Sequence, residues 1–259
     1  MAEKSFIVAK SIPIAERLKD NKSAFLAGGT EINRLGSYVD AKTLISIGRL
    51  GLDTVNEAEI DGMPCLRIGA TVTFQECVEN QKIPAWFREA CLFMSSRTKR
   101  NMATIGGNVA IARDDSYLIP SLVASGSLVE FASGRILSVE KYVRDHARYT
   151  NRLIVAIYID PQVRVEAKRY SNTAAGHAYV TVAVSSNGDV AAQIKGAGLI
   201  DTSVISNALD RSEKACLKWV RNLKNPKVRN DMYGSSAYKR YLTGVTVAML
   251  SEKIREASK

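Results

Sequence analysis

The sequence predicts an α+β protein, and three observations carry that prediction. Short apolar runs flanked by Gly, Pro, Asp and Asn alternate with segments whose apolar residues recur at helical spacing. The distances between these elements are irregular, which argues against a regular doubly wound sheet. The chain of 259 residues is 46% hydrophobic and 24% charged, the balance of a folded globular protein rather than a disordered one. That length suits one large domain or two to three smaller ones.

Along the chain, Ser11 and Pro13 open a helix that runs to about Asp20, with Ile14 and Leu18 on its apolar side. Residues 24–27 read as a short strand that breaks at Gly28-Gly29 and continues into Thr30 and Glu31. Residues 44–47 and 66–68 are further strands, the second preceded by the turn-forming pair Asp61-Gly62. From Pro84 to Ser95 the pattern is helical, with Phe87, Ala90, Cys91 and Met94 on one face. A second glycine turn, Gly106-Gly107, follows, with Asn108 directly after it. Residues 127–131 and 153–159 are strands, and Asp160-Pro161 after the second marks a domain boundary. Residues 179–184 and 190–194 form a hairpin around Asn187-Gly188. Between Arg211 and Arg229, seven basic residues (Arg211, Lys214, Lys218, Arg221, Lys224, Lys227 and Arg229) face one acid, Glu213. Cys216, Trp219, Val220 and Leu223 recur there at helical spacing, so the segment reads as an amphipathic helix with a cationic outer face. Gly234-Ser235 opens a last helix in which Tyr238, Tyr241, Leu242, Val245 and Met249 share a face.

Composition narrows the function. The longest uncharged run, residues 170–188, is dotted with Ser, Asn, Thr, His and Gly, so no membrane span is expected. The N-terminal segment lacks the pattern of an export signal, and a cytoplasmic protein is expected. Cys65, Cys77, Cys91 and Cys216 match neither a zinc spacing nor a disulfide framework, and read as small buried hydrophobes. His146 and His177 stand alone, which leaves little material for a metal centre or a Ser-His-Asp triad. A net charge of +10 favours an anionic partner: a nucleic acid, a phosphate-bearing cofactor or an acidic protein face. The cationic helix is then either a solvated face or a docking surface.

Glycine turns let backbone N–H groups converge on a phosphate. Gly28-Gly29 and Gly106-Gly107 lie 78 residues apart, and neither belongs to a G-x-G-x-x-G fingerprint or a P-loop. Spacing alone therefore makes neither a ligand loop. The whole chain, however, resembles the FAD-binding (medium) subunit of the molybdenum hydroxylases, the xanthine and carbon monoxide dehydrogenase family. The resemblance rests on Phe25-Leu26-Ala27-Gly28-Gly29-Thr30-Glu31-Ile32, on Arg100-Asn101-Met102-Ala103-Thr104-Ile105-Gly106-Gly107-Asn108 with Pro120 beyond, on residues 66–70 and 154–159, and on residues 234–242. It implies a vanillyl-alcohol-oxidase (PCMH)-type FAD-binding domain of two α/β subdomains, residues 1–55 and 56–160, followed by an α+β C-terminal domain, residues 161–259.

The same resemblance implies FAD as cofactor, its diphosphate between the two glycine loops. Leu26, Ala27, Gly28, Gly29, Thr30, Glu31 and Ile32 would bind it from one side, and Ala103, Thr104, Gly106, Gly107 and Asn108 from the other, both loops supplying N–H donors. Arg100 and Asn101 are either part of that site or merely fix the loop. By position Met94, Ala110, Ser116, Tyr117, Ile154 and Lys168 match residues near the cofactor, Lys168 as a cation for the reduced flavin. Two departures stand out. Ser116-Tyr117 replaces a common Ser-Asp, with Asp114 or Asp115 as substitutes, and Gly176-His177-Ala178 replaces a Gly-Asp-Tyr, with Tyr179 or Tyr170 as aromatic cover. The implied role is that of an oxidoreductase subunit in a heteromeric complex: a molybdopterin-binding large subunit oxidises substrate, a 2Fe–2S small subunit relays electrons, and this chain passes them to NAD or another acceptor. No side chain need act as acid or base, so no catalytic residue is assigned. Two alternatives stay open: a flavin-poor docking subunit of the same complex, and a basic nucleic-acid-binding module.

Overall fold

The structure, a computed structural model, describes residues 5–257 except residues 35, 36, 38, 206 and 224–226, so Lys224 of the cationic segment lies outside the described residues. The described strands form three sheets, which follow one another along the chain.

The first contains β1 (Ser5–Val8), β2 (Ser23–Leu26) and β3 (Thr43–Ser46), all parallel, with β3 in the centre. Parallel strands need a crossover, and α1 (Ile12–Leu18) supplies it between β1 and β2. Ser11 caps this helix by accepting from the Ile14 N–H, as the sequence indicates, although the helix stops two residues before Asp20. Strand β1 is absent from the sequence reading because its residues are exposed along an edge and show no alternation.

The second sheet is antiparallel. Strands β4 (Val55–Ile60) and β5 (Met63–Gly69) form a hairpin on Asp61 and Gly62, both with positive φ as a tight two-residue turn requires. Helices α2 (Phe74–Glu79), α3 (Ala85–Leu92), α4 (Arg97–Arg100), α5 (Ile105–Ile111) and α6 (Ile119–Ala124) follow. Strands β6 (Leu128–Phe131) and β7 (Ile136–Ser138), helix α7 (Val139–Arg144) and strand β8 (Ile154–Ile159) complete the unit, with strand order β4-β5-β8-β6-β7.

The third sheet holds β9 (Val165–Tyr170), β10 (Val180–Ser185), β11 (Val190–Ile194) and β12 (Gly198–Leu199), in the order β12-β11-β10-β9. The β10–β11 hairpin turns at Gly188 as its sequence dictates. Every residue of β10 and β11 is buried. Ala183 and Ala191 face the core of the second unit, and Val180, Val182, Val184 and Ala192 face the opposite core, so both sides of the sheet are covered. Helix α8 (Glu213–Asn222) buries Cys216, Trp219 and Val220 and presents its cations outward, and α9 (Ser236–Glu256) crosses it.

Helix α9 corrects the sequence reading. Tyr238, Tyr241 and Met249 are exposed, and of the expected face only Leu242 is buried. The packed side is instead Lys239, Leu242, Thr243, Gly244, Thr246, Val247, Leu250, Ser251 and Ile254. Small residues win because α8 comes very close: a Cβ on Gly244 would lie 2.7 Å from Val220 Cγ2 and 3.2 Å from the Cys216 carbonyl oxygen. Lys239 tolerates full burial because its ammonium pairs with Asp231 at 2.5 Å and donates to the Arg229 carbonyl at 3.1 Å. The four cysteines are free thiols, and among the described residues no helix is long and apolar enough to cross a membrane.

Candidate functional site

Strand β2 ends at Leu26, whose carbonyl accepts from the Ile47 N–H, and the chain then turns at Gly28-Gly29 with Gly29 at φ 71°. Gly28 lies directly against the segment before the second glycine pair: a Cβ there would sit 1.5 Å from the Met102 carbonyl oxygen. Only glycine permits that approach, which seats the first glycine turn against the segment leading into the second. The Asn33 N–H closes the turn onto the Gly29 carbonyl at 3.0 Å. Among the described residues, none of the N–H groups from Gly28 to Ile32 donates to a protein acceptor, so successive donors stand open on this loop.

The second turn is built differently. Thr104 caps α5, its hydroxyl accepting from the Gly107 N–H at 3.2 Å while its carbonyl accepts from Asn108. The Ile105 and Gly106 N–H groups donate to the Val72 and Ala70 carbonyls, both at 2.9 Å. Ala103 in turn accepts from Phe74. A Cβ on Gly106 would meet Ala70 Cβ at 2.5 Å. This pair is therefore a packing joint that anchors α5 to the strand end of the second sheet. Its backbone donors from Ile105 to Asn108 are engaged inside the fold, in contrast to the N–H donation expected of them.

Between the loops and the third sheet runs a chain of charges. Arg34 grips Glu31 with contacts of 2.7 to 3.2 Å, and Arg113 Nη1 reaches the same carboxylate at 3.3 and 3.5 Å. Arg113 holds Asp115 in a two-pronged bond, Nε to Oδ1 and Nη2 to Oδ2, both 2.7 Å. Asp115 is 1% exposed at its side chain and also lies 3.6 Å from both Lys195 Nζ and His177 Nδ1. Burial by itself raises its pKa, but the Arg113 hydrogen bonds and the charges of Arg113, His177 and Lys195 outweigh it and hold the carboxyl below its usual range. Burial lowers the pKa of His177, with Asp115 opposing. Asp114 accepts from the Gly196 N–H at 2.7 Å, so each candidate carboxylate is tied to a neighbouring element.

Several expected site residues converge here. Ser116 donates to Asn108 Oδ1 at 2.8 Å, fixing the side chain that follows the second glycine pair. Tyr117 is buried, stacks on His177 at 6.4 Å and carries the Arg169 guanidinium over its ring at 5.2 Å. Ala110, in α5, and Ile154, in β8, pack in the core of the second unit, the Ala110 carbonyl accepting from Tyr142 and paired with a ring nitrogen of His146. Met94 is partly buried and gives its carbonyl to Arg100. Arg100 also donates to Gln75 and the Ser95 carbonyl, the behaviour of a loop-fixing residue. Lys168 is not brought to this cluster. The strand pleat sends it toward α9, 5.5 Å above Tyr170 and 4.0 Å from Met249 Sδ, and its neighbour Arg169 reaches Tyr117 instead. Tyr170 and Tyr179 likewise pack in the α8–α9 core. Sequence reasoning missed Arg34, Arg113, Arg169 and Lys195, since each finds its partner through tertiary contacts that leave no periodic signal.

This arrangement of three sheets is a known fold. The chain superposes on a reconstituted CO dehydrogenase from Oligotropha carboxidovorans with a TM-score of 0.81 at 19% identity, covering 98% of both chains. A carbon monoxide dehydrogenase from Hydrogenophaga pseudoflava gives 0.82 at 17% identity, and quinoline 2-oxidoreductase from Pseudomonas putida 86 gives 0.77 at 17%, each with 98% of both chains covered. Residues 4–162 match the model of the FAD binding domain in molybdopterin dehydrogenase. The chain is also 33% identical over 254 residues to the uncharacterized protein YgfM of Escherichia coli K12, covering 96% of this chain and 94% of that one. The chain therefore belongs to the family of FAD-binding domains of molybdopterin dehydrogenases, is the FAD-binding component of an oxidoreductase, and has FAD as its cofactor. The residues present fit that group: a run of open N–H donors with two arginines beside it is what a diphosphate needs.

Proposed function

We propose that this chain is the flavoprotein subunit of a multisubunit, xanthine dehydrogenase-like molybdenum hydroxylase that works in the cytoplasm. A molybdopterin-binding large subunit and a 2Fe–2S small subunit are its partners, and NAD or another acceptor takes the electrons. FAD, when bound, supplies the redox chemistry, since no side chain of the site need be oxidised or act as an acid. The chain's own residues bind and orient. The N–H groups of Gly28 to Ile32 hold the diphosphate, Thr104 and Asn108 border it from the second turn, and Ala110 and Ile154 line the apolar wall. In this reading residues 1–55 and 56–160 are the two FAD-binding subdomains and residues 161–259 the C-terminal domain, with the flavin held between them. The observation that carries this reading is the contact of Gly28 with Met102, which unites two loops distant in sequence around open donors.

The test is a visible absorption spectrum of the purified protein, followed by denaturation and chromatography of any released flavin. About one FAD per chain is expected, in line with a single cofactor cleft. Colourless protein that FAD cannot reconstitute would overturn the reading in favour of a docking subunit. For the partners, the expected result is copurification with a molybdenum- and iron-containing assembly.

A further inference from the structure

We propose that Arg113 is a diphosphate-binding residue of the flavin cleft, pre-positioned by Asp115. The inference rests on the cofactor reading above and adds to it a residue that neither glycine loop contains. The guanidinium uses two of its nitrogens, Nε and Nη2, in the paired bond to Asp115. That leaves Nη1 as the edge turned toward the first loop, where its contacts to Glu31 are long, at 3.3 and 3.5 Å. Glu31 already takes a 2.7 Å bond from Arg34, so Nη1 retains capacity for a better acceptor. An anion seated on the open N–H groups of Gly28 to Ile32 would stand beside the Glu31 carboxylate and be repelled by it, and Arg113 and Arg34 offset that repulsion. The position of Arg113 is fixed from behind. Asp115 is buried between Lys195 and His177, and the Arg113 carbonyl accepts from the buried Gln193 at 2.8 Å. A planar fork held this way loses little freedom when it binds an oxyanion.

The experiment titrates the full-length apoprotein with FAD, ADP and riboflavin, read by flavin fluorescence and calorimetry. Arg113→Ala is expected to weaken FAD and ADP by about tenfold or more, the scale of one charge-assisted contact, and to leave riboflavin, which has no phosphate, unchanged. Arg113→Lys restores part of the loss. Glu31→Gln tightens ADP, and with the lysine variant it gives the answer should Arg113→Ala fail to fold. Wild-type affinity for ADP in Arg113→Ala, or an equal loss for riboflavin and ADP, overturns the inference while leaving the cofactor reading intact. Wild-type protein that binds neither FAD nor ADP overturns both.

Discussion

The two glycine pairs share a sequence and differ in what the fold does with them. At Gly28-Gly29 the strand end leaves its N–H groups open and presses one α-carbon against Met102. At Gly106-Gly107 the N–H groups are bound by the Ala70 carbonyl and the Thr104 hydroxyl, and the missing side chain makes room for Ala70. One loop leaves its donors open, whereas the other spends its donors on packing within the fold. A glycine pair thus does not by itself identify a phosphate loop: the use made of its donors does.

This contrast can be broken at either loop. The largest effect is expected for Gly28→Ala, because a Cβ 1.5 Å from a backbone oxygen separates the two turns. About 3 kcal/mol or more of stability, by urea unfolding, should be lost, together with FAD retention even in the fraction that folds. Gly106→Ala meets Ala70 at 2.5 to 2.8 Å, a clash inside the packing joint alone. It should cost about 1–3 kcal/mol, and the folded protein should bind FAD as before; a variant that folds well but is colourless would erase the distinction between the loops. Thr104→Val removes the cap on α5 and is expected to cost about 1 kcal/mol, seen as a lower melting temperature.

The smallest effect concerns the charges behind the first loop. The folded-state pKa of His177 lies below its ordinary 6.5, so the unfolded chain takes up the proton first as pH falls. Stability should therefore decline gently below about pH 6.5, and a His177→Gln variant should lose that component. Asp115 has the opposite ordinary range: its contribution is complete above 3.8 and is lost as pH falls below it. A melting series from pH 8 to pH 5 should accordingly show the histidine component and none from Asp115.

Much of the fold was legible wherever local chemistry settles local shape. The Asn187-Gly188 hairpin, the Ser11 cap and the apolar stripe of α8 needed nothing from distant residues. Strands β1, β4 and β9 were not legible, since all three are edge strands, exposed or charged along much of their length. The buried side of α9 was misread because hydrophobicity favoured its tyrosines, while close approach to α8 selected Gly244, Thr243 and Thr246.

The candidate site divides in the same way. Sequence alone determined where the chain turns, that two of those turns are glycine pairs, and that the protein is basic enough to seek an anion, because these follow from backbone freedom and from charge. Only the tertiary structure decided which pair keeps its donors open, and that Arg113, Asp115, His177 and Lys195 meet beside it. Hydrogen-bond partners and ion pairs between residues 62 to 82 positions apart depend on how the sheets dock, and no local pattern in the chain encodes that docking.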